Sequence, residues 1–190
     1  MSGKRRWLNR ELVINRAVAM ADEAGSVTAV SLTALAESLD VRVPSLYNHV
    51  ASLEDLQHGM AVAGVRLLLD ELRRATNGLV ARPSLEAMAH AYRQFALAHP
   101  GIYPLTIRAP EPDDAELGAL AQELVQMLLL VWATVGLTGD DALHATRGFR
   151  AVLHGFTALE MAEGYRLSLG RDESFQRLVA AYLDGVIRGK

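Results

Sequence analysis

Apolar residues recur at helical spacing along almost all of this 190-residue chain, and period-two alternation is rare. A chain patterned this way buries one stripe per helix and offers a sheet no alternating face. Leu8, Leu12, Val13, Ala17, Met20 and Ala24 form the first stripe, closed by Gly25 as a left-handed cap. Ser31 precedes Leu32, Leu35, Ala36 and Leu39 as an N-cap. Asp40-Val41-Arg42 interrupts, and Pro44 suits the first turn of a short helix to about Val50. Ser52-Leu53-Glu54-Asp55 has the form of a capping box and opens a long helix to about Ala75. Further helices are expected over about 84–99, 112–135, 139–166 and 173–187, with Thr138-x-x-Asp141 capping the third of these. Ile102–Ile107, between Pro100 and Pro110, reads as a short broken segment. The expected fold is all-α. A three-helix unit with a helix-turn-helix spans 1–51, and a larger helical domain spans 52–190.

Composition narrows the chemistry. The chain has no cysteine, which removes disulfide scaffolds, thiolate nucleophiles and cysteine zinc sites. No His-Glu-x-x-His motif is present, and no glycine-rich loop follows a strand. Glu86 and His90 share a helix face without a second matching ligand pair, and Glu160 and Glu163 read as solvated. No catalytic residue, metal or cofactor is expected. The first residues carry charge without a following apolar run, unlike a signal peptide. Leu124–Gly139 is uncharged but shorter than the roughly 20 apolar residues that span a bilayer. It reads as a buried core helix of a soluble, cytoplasmic protein, with no membrane partner.

Ser31–Val50 is the segment that carries function. It has the pattern of a helix, a tight turn and a second short helix. Leu35, Ala36, Leu39, Val41 and Leu46 are the expected inward contacts. Arg42, Val43, Ser45, Tyr47, Asn48 and His49 remain for the outer side, and such a helix fits the DNA major groove. Asn48 and Ser45 have base-edge chemistry, and Val43 suits a thymine methyl group. Tyr47 and His49 suit phosphate oxygens, as do the helix N-termini at Ser31 and Ser52. The spacing alone equally describes an ordinary αα-hairpin.

From Arg6 to about Leu69 the chain resembles the tetracycline-repressor (TetR) family of transcription regulators. The residues that carry the likeness are Ala24, Ser31-Leu32-x-x-Leu35-Ala36-x-x-Leu39-x-Val41, Pro44-Ser45-Leu46-Tyr47-x-His49-Val50 and Leu53-x-x-Leu56. Tyr92–Tyr103 and Arg147-x(6)-His154-Gly155-Phe156-x-x-Leu159-Glu160 resemble one C-terminal domain type of that family. The likeness implies DNA contact by Lys4, Arg5, Arg6, Ser31, Thr33, Arg42, Val43, Pro44, Ser45, Tyr47, Asn48 and His49. It also implies a homodimer through about 139–166 and 172–188, a pseudo-palindromic double-stranded operator, and release by a small-molecule effector. Helix 53–76 is the implied link. Relatives often carry a Lys beside the start of that helix, where this chain has Ser52-Leu53-Glu54-Asp55. Arg150 stands where relatives carry an aromatic residue.

Phe95, Tyr103, Trp132, Arg150 and His154 are the candidate effector contacts. Phe95 and Trp132 equally suit plain core, and His154 suits an internal hydrogen bond. Arg150 suits a pair with Glu160, an acidic ligand or solvent.

The net charge of −3 conceals a gradient: residues 1–16 carry +4 and residues 17–60 carry −5. Phosphate attraction is therefore expected to fall on Lys4, Arg5, Arg6 and Arg10, with Arg42 beside the reading helix. Deleting residues 1–6 is expected to lower DNA affinity and flatten its dependence on salt, measured by titrating labelled duplex at several salt concentrations. An unchanged slope removes the arm from the interface.

Overall fold

In the computed structural model, which describes residues 8–188, helix α1 (Arg10–Ala24) starts at the Asn9 cap and stops at Gly25. Asn9 Oδ1 accepts from Leu12 N–H at 2.8 Å, and Gly25 adopts φ 68°. A 3-10 turn (Val27–Ala29) leads to α2 (Leu32–Ser38), α3 (Val43–Leu46) and α4 (Leu53–Thr76). There follow α5 (Ala81–Ala98), the single turn α6 (Tyr103–Thr106), α7 (Ala115–Thr134), α8 (Gly139–Met161) and α9 (Arg171–Arg188). The described residues contain no strand.

Two compact units divide the described chain. The first holds residues to Arg66 together with His99–Ala109, and the second holds Leu67–Ala98 and residues from Pro110 onward. Within the first, Val13, Ala17, Val18 and Ala21 are the buried stripe of α1, while Ala24 is exposed. The stripe is thus rotated from the one expected, because α1 meets its neighbours on the 13–17–21 row. Leu35, Ala36, Leu46, Val50, Leu56 and Met60 complete this core, and Leu39 and Val41 are half-buried.

In the second unit, α5, α8 and α9 pack together and α7 lies against α5 and α8. Trp132 stands edge-on to Phe149 at 5.7 Å, and Phe149 lies against Tyr182. The Tyr182 hydroxyl donates to the Ala145 carbonyl at 2.7 Å. A Cβ on Gly148 would lie 2.4 Å from that hydroxyl oxygen, so α8 and α9 approach where Gly148 leaves room. Phe175 packs against Phe156 and His90, which places His90 in an aromatic contact. Glu86 pairs with Arg82 at 2.7 Å, so the two members of the Glu86–His90 face have separate partners.

Glu160 is buried rather than solvated. Arg93 Nε and Nη2 each donate to its carboxylate at 2.7 Å, and Nη1 donates to Asp172 at 2.8 Å. The guanidinium also lies over the Phe156 and Phe175 rings, 5.6 and 5.0 Å from their centroids. Hydrogen bonding to Glu160 raises the Arg93 pKa most, and burial opposes that rise. Both Glu160 oxygens are thus engaged by Arg93.

Two expected features differ. Thr138 is the N-cap of α8 but makes no side-chain capping bond, since its neighbour Gly139 starts the helix at φ 58°. Helix α7 buries only Trp132 fully, and Leu130 is 70% exposed, so it is not a buried core helix in the single chain. By length and composition α7 is able to cross a membrane. Its Glu123 nevertheless pairs with Arg73 of α4, and Trp132 packs into the helical core.

Glu160→Ala strands a buried guanidinium and is expected to cost about 3–5 kcal/mol in urea unfolding. Asp172→Ala, at an 85% exposed carboxylate, is expected to cost under about 1 kcal/mol. Replacing the pair together, Arg93→Met with Glu160→Leu, is expected to recover most of the loss. A double variant as unstable as Glu160→Ala alone contradicts a desolvation cause.

Candidate nucleic-acid interface

Helix α2 begins where Ser31 Oγ accepts from Ala34 N–H at 3.1 Å. Leu35 and Ala36 bury its inner face and leave Ser31 and Thr33 exposed. Asp40 turns the chain at φ 54°. Arg42 caps α3 through its backbone conformation without a side-chain bond, and Pro44 stands in the first turn. Helix α3 is one turn long, shorter than the expected span to Val50. Tyr47 is its C-cap, and Asn48 and His49 lie in the turn that follows. The turn closes because His49 and Val50 N–H both donate to the Leu46 carbonyl, at 2.8 and 2.9 Å. Leu46 and Val50 are buried beneath it. Arg42, Pro44, Tyr47 and Asn48 are exposed, with Tyr47 at 53%, and Val43, Ser45 and His49 are half-buried. The short helix and its turn thus present the sequence-expected set on one connected segment. Lys4, Arg5 and Arg6 lie outside the described residues.

Arg10, of which phosphate attraction is expected, also has partners within the protein. Its Nη1 and Nη2 donate to the two Asp55 oxygens at 2.8 and 2.7 Å, and Nη1 also donates to the His49 carbonyl at 2.9 Å. Asp55 Oδ2 additionally accepts from Ala51 N–H at 2.8 Å. Ser52 Oγ accepts from Asp55 N–H at 3.0 Å. The capping box therefore forms with its return bond one residue earlier, on Ala51. This set of contacts ties α1, the reading turn and the start of α4 together. The Arg10 hydrogen bonds hold the Asp55 carboxyl at about 2, below the usual carboxylate range. Burial opposes the shift, and Ala51 N–H adds to it. Nothing in the residue pattern pairs Arg10 with Asp55 across 45 positions; only the acid at a helix start was visible.

The candidate effector contacts divide between the units. Tyr103 is 3% exposed in the first. Phe95 and Trp132, 2% and 0% exposed, are core residues of the second. His154 is half-buried and Arg150 exposed, both on α8. The Trp132 indole N–H and the Thr157 hydroxyl are buried without a protein partner. A shallow cleft of about 170 Å³ in the same unit is lined by Phe156, Tyr165, Leu167, Leu169, Arg166 and Arg171, a place the residue pattern did not single out.

Comparison with known proteins agrees with this architecture. Residues 85–182 match the family described as tetracyclin repressor-like, C-terminal domain. The HTH-type transcriptional regulator YobS of Bacillus subtilis is 30% identical over 181 residues, covering 95% of this chain and 93% of its own. The HTH-type transcriptional regulator Rv0681 of Mycobacterium tuberculosis is 34% identical over 182 residues, covering 95% and 83%. Among solved structures, a Rhodococcus protein of unknown function superposes with TM-score 0.78 at 23% identity, covering 100% of this chain and 98% of its own. The TetR family protein ActR of Streptomyces coelicolor, in complex with (S)-DNPA, gives TM-score 0.66 at 17% identity, covering 97% and 99%.

Because the folded Asp55 pKa is depressed, its stabilisation is present above the unfolded carboxyl value near 4 and is lost as pH falls toward about 2. Both partners are partly exposed, which limits the effect to about 1 kcal/mol. Asp55→Asn is expected to lower Tm near pH 7 by a few degrees, with the gap to wild type narrowing below about pH 4 and closing toward about pH 2. A gap that stays constant with pH rules out the ionised pair as its origin.

Proposed function

The chain belongs to the tetracyclin repressor-like family of HTH-type transcriptional regulators, and from that premise we propose that it binds a pseudo-palindromic operator as a homodimer and is released by a small-molecule effector. A regulator of this family works in the cytoplasm, where the chromosome lies. The observation that carries the reading is the exposed turn of α3, with Tyr47 and Asn48 outward above buried Leu46 and Val50. Asn48 and Ser45 read base edges, and Val43 meets a thymine methyl group. Tyr47, His49, Ser31 and Thr33 hold phosphates, with Arg42, Pro44 and the arm residues Lys4, Arg5 and Arg6 beside them. In this reading residues 1–51 form the DNA-binding domain and 52–190 carry ligand binding and dimerisation, a functional division that differs from the two compact units.

Helices α8 and α9 supply the dimer surface. Leu143, Ala151, Gly155 and Leu159 are exposed on α8, as are Ala181 and Gly185 on α9. A Cβ on Gly155 or Gly185 would meet nothing within 4 Å, so this surface admits a closely packed helix. Phe95, Trp132, Arg150 and His154, all of the second unit, are the proposed effector contacts. The unpartnered Trp132 N–H supports a polar ligand group there, and the light packing of α7 supports an opening beside it. ActR with (S)-DNPA and a TetR variant from Acinetobacter baumannii with minocycline are solved ligand complexes of the same fold. The effector must favour the DNA-incompetent state by the factor through which it weakens operator binding.

The acidic start of α4, Glu54 and Asp55, favours a second reading: a helical ligand-binding protein that no longer reads DNA. Labelled duplex from the chain's own upstream region separates the two. The proposed function predicts binding with strong salt dependence. Tyr47→Ala and His49→Ala are expected to weaken specific and nonspecific duplex alike. Asn48→Ala is expected to relax discrimination at one base position by about 1–3 kcal/mol. Equal loss on every sequence for Asn48→Ala contradicts base reading. No binding to upstream or genomic fragments at low salt refutes the first reading.

A further inference from the structure

Helix α8 ends in a bend that lays one aromatic ring on another. Glu163 adopts φ 55°, and Gly164 N–H returns to the Leu159 carbonyl at 2.8 Å. A Cβ on Gly164 would lie 3.0 Å from that carbonyl oxygen, so the bend suits glycine. The chain then brings Tyr165 across Phe156, with ring centroids 4.7 Å apart and planes inclined by 35°. Apolar and other residues alternate along Tyr165-Arg166-Leu167-Ser168-Leu169-Gly170 until α9 opens at Arg171. Leu169 N–H donates to the Leu167 carbonyl at 2.8 Å, which curls the segment. These residues line the cleft of about 170 Å³, which lies wholly within the second unit. Phe156, 8% exposed, and Tyr165 form its aromatic floor, and Leu167 and Leu169 its aliphatic wall.

Leu167 and Leu169 are 81% and 71% exposed, so the wall is uncovered in the single chain. Charge decides what suits it. The acids nearby are already engaged: Glu160 and Asp172 hold Arg93, and Glu173 holds Arg177 at 2.7 Å. Glu163 stands in the bend and does not line the cleft. Arg166 and Arg171 do line it, are exposed, and have no acidic partner among the described residues. The cleft therefore joins an apolar surface to two uncompensated guanidinium groups. A guanidinium takes a carboxylate through two parallel N–H donors. The matching ligand is an anion with an apolar body. Size narrows its class. At about 10–15 Å³ for each atom-sized sphere, the cleft takes on the order of ten non-hydrogen atoms. That is one ring with a short acidic arm, and a long acyl chain exceeds it. The aromatic floor favours a flat ring, which gains ring contacts beyond the area it buries.

We propose that the cleft between α8 and α9 binds a one-ring aromatic carboxylate, its ring over Phe156 and Tyr165 and its carboxylate on Arg166 and Arg171. None of Phe95, Trp132, Arg150 and His154 lines this cleft, so the site is separate from the proposed effector contacts and goes beyond the function proposed above. The ligand covers Leu167 and Leu169 and neutralises the two arginines at once. Phe156 also touches the neighbouring junction: the Arg93 guanidinium lies 5.6 Å from its ring centroid and the Phe175 ring 5.2 Å. The cleft and the α5–α8–α9 junction thus share one side chain.

The probe is 3-phenylpropionate, titrated by calorimetry into the full chain near pH 7 at low salt. Wild type is expected to bind it. Arg166→Gln and Arg171→Gln change exposed side chains, so both are expected to keep the wild-type Tm. Each is expected to weaken binding about tenfold, the loss of one charge-assisted contact. Tyr165→Leu is expected to weaken it about fivefold, through the lost ring contact. The neutral 3-phenylpropionamide is expected to bind about tenfold more weakly than the acid. Acetate, which has no ring, is expected not to compete. Arg150→Gln, at a proposed effector contact, is expected to bind as wild type does. Binding lost in Arg150→Gln but kept in both Arg166→Gln and Arg171→Gln puts the acid among the effector contacts and overturns the proposal. Equal affinity for acid and amide overturns it, and so does tighter binding of dodecanoate than of 3-phenylpropionate. No binding of 3-phenylpropionate at millimolar concentration overturns it as well. None of these outcomes depends on DNA, so failure of the chain to bind any duplex refutes the proposed function and leaves the cleft's ligand standing.

Discussion

The reading turn depends on one ion pair. Arg10 and Asp55 lie 45 residues apart, and their bidentate contact brings the start of α1 to the start of α4. Its placement matters more than its strength, since a partly exposed pair contributes little free energy. Arg10 also holds the His49 carbonyl, and Asp55 also holds Ala51 N–H. The turn that follows α3 is thereby fixed at both ends of the three-residue stretch 49–51. Helix α3 is one turn long and has no side-chain cap of its own, so its orientation comes from these neighbours and from buried Leu46 and Val50. Asp55 consequently places a negative charge beside this turn and at the same time helps hold its shape.

The second unit is organised by a different balance. Arg93 is buried with Glu160 and lies over two aromatic rings, so the α5–α8–α9 junction is satisfied in charge and packing together. Phe149, Tyr182 and Gly148 interlock nearby. Helix α7 contributes only Trp132 to the fully buried set and leaves that indole N–H unpaired. One edge of the unit is therefore densely packed and the other lightly.

Several readings came directly from residue patterns. Gly25 is a left-handed cap because the apolar period ends there and glycine adopts φ 68° without strain. Ser31 caps α2 because serine accepts from a first-turn N–H without distorting the helix. Buried Leu35, Ala36 and Leu46 follow from spacing, and so does the exposure of Tyr47 and Asn48. Other features were missed for identifiable reasons. Arg10 was grouped with the basic arm because charge summation carries no information about partners. Glu160 was read as solvated, since its partner Arg93 stands 67 residues away on another helix. Helix α7 was read as core because hydropathy records composition, whereas burial depends on what lies opposite.

The sequence alone was sufficient for the all-helical class, the helix-turn-helix segment and the family likeness. All three rest on interactions within a few residues: helical periodicity, caps and turn chemistry. The tertiary structure decided that Arg10 serves Asp55, that Glu160 serves Arg93, and that Tyr103 sits with the reading unit. It also decided that Asp22 joins α1 to Gly101, at a distance where glycine alone fits. These are pairings between groups far apart in the chain. Local propensity is blind to them, because a charged residue's partner is chosen by how helices pack and not by its neighbours in sequence.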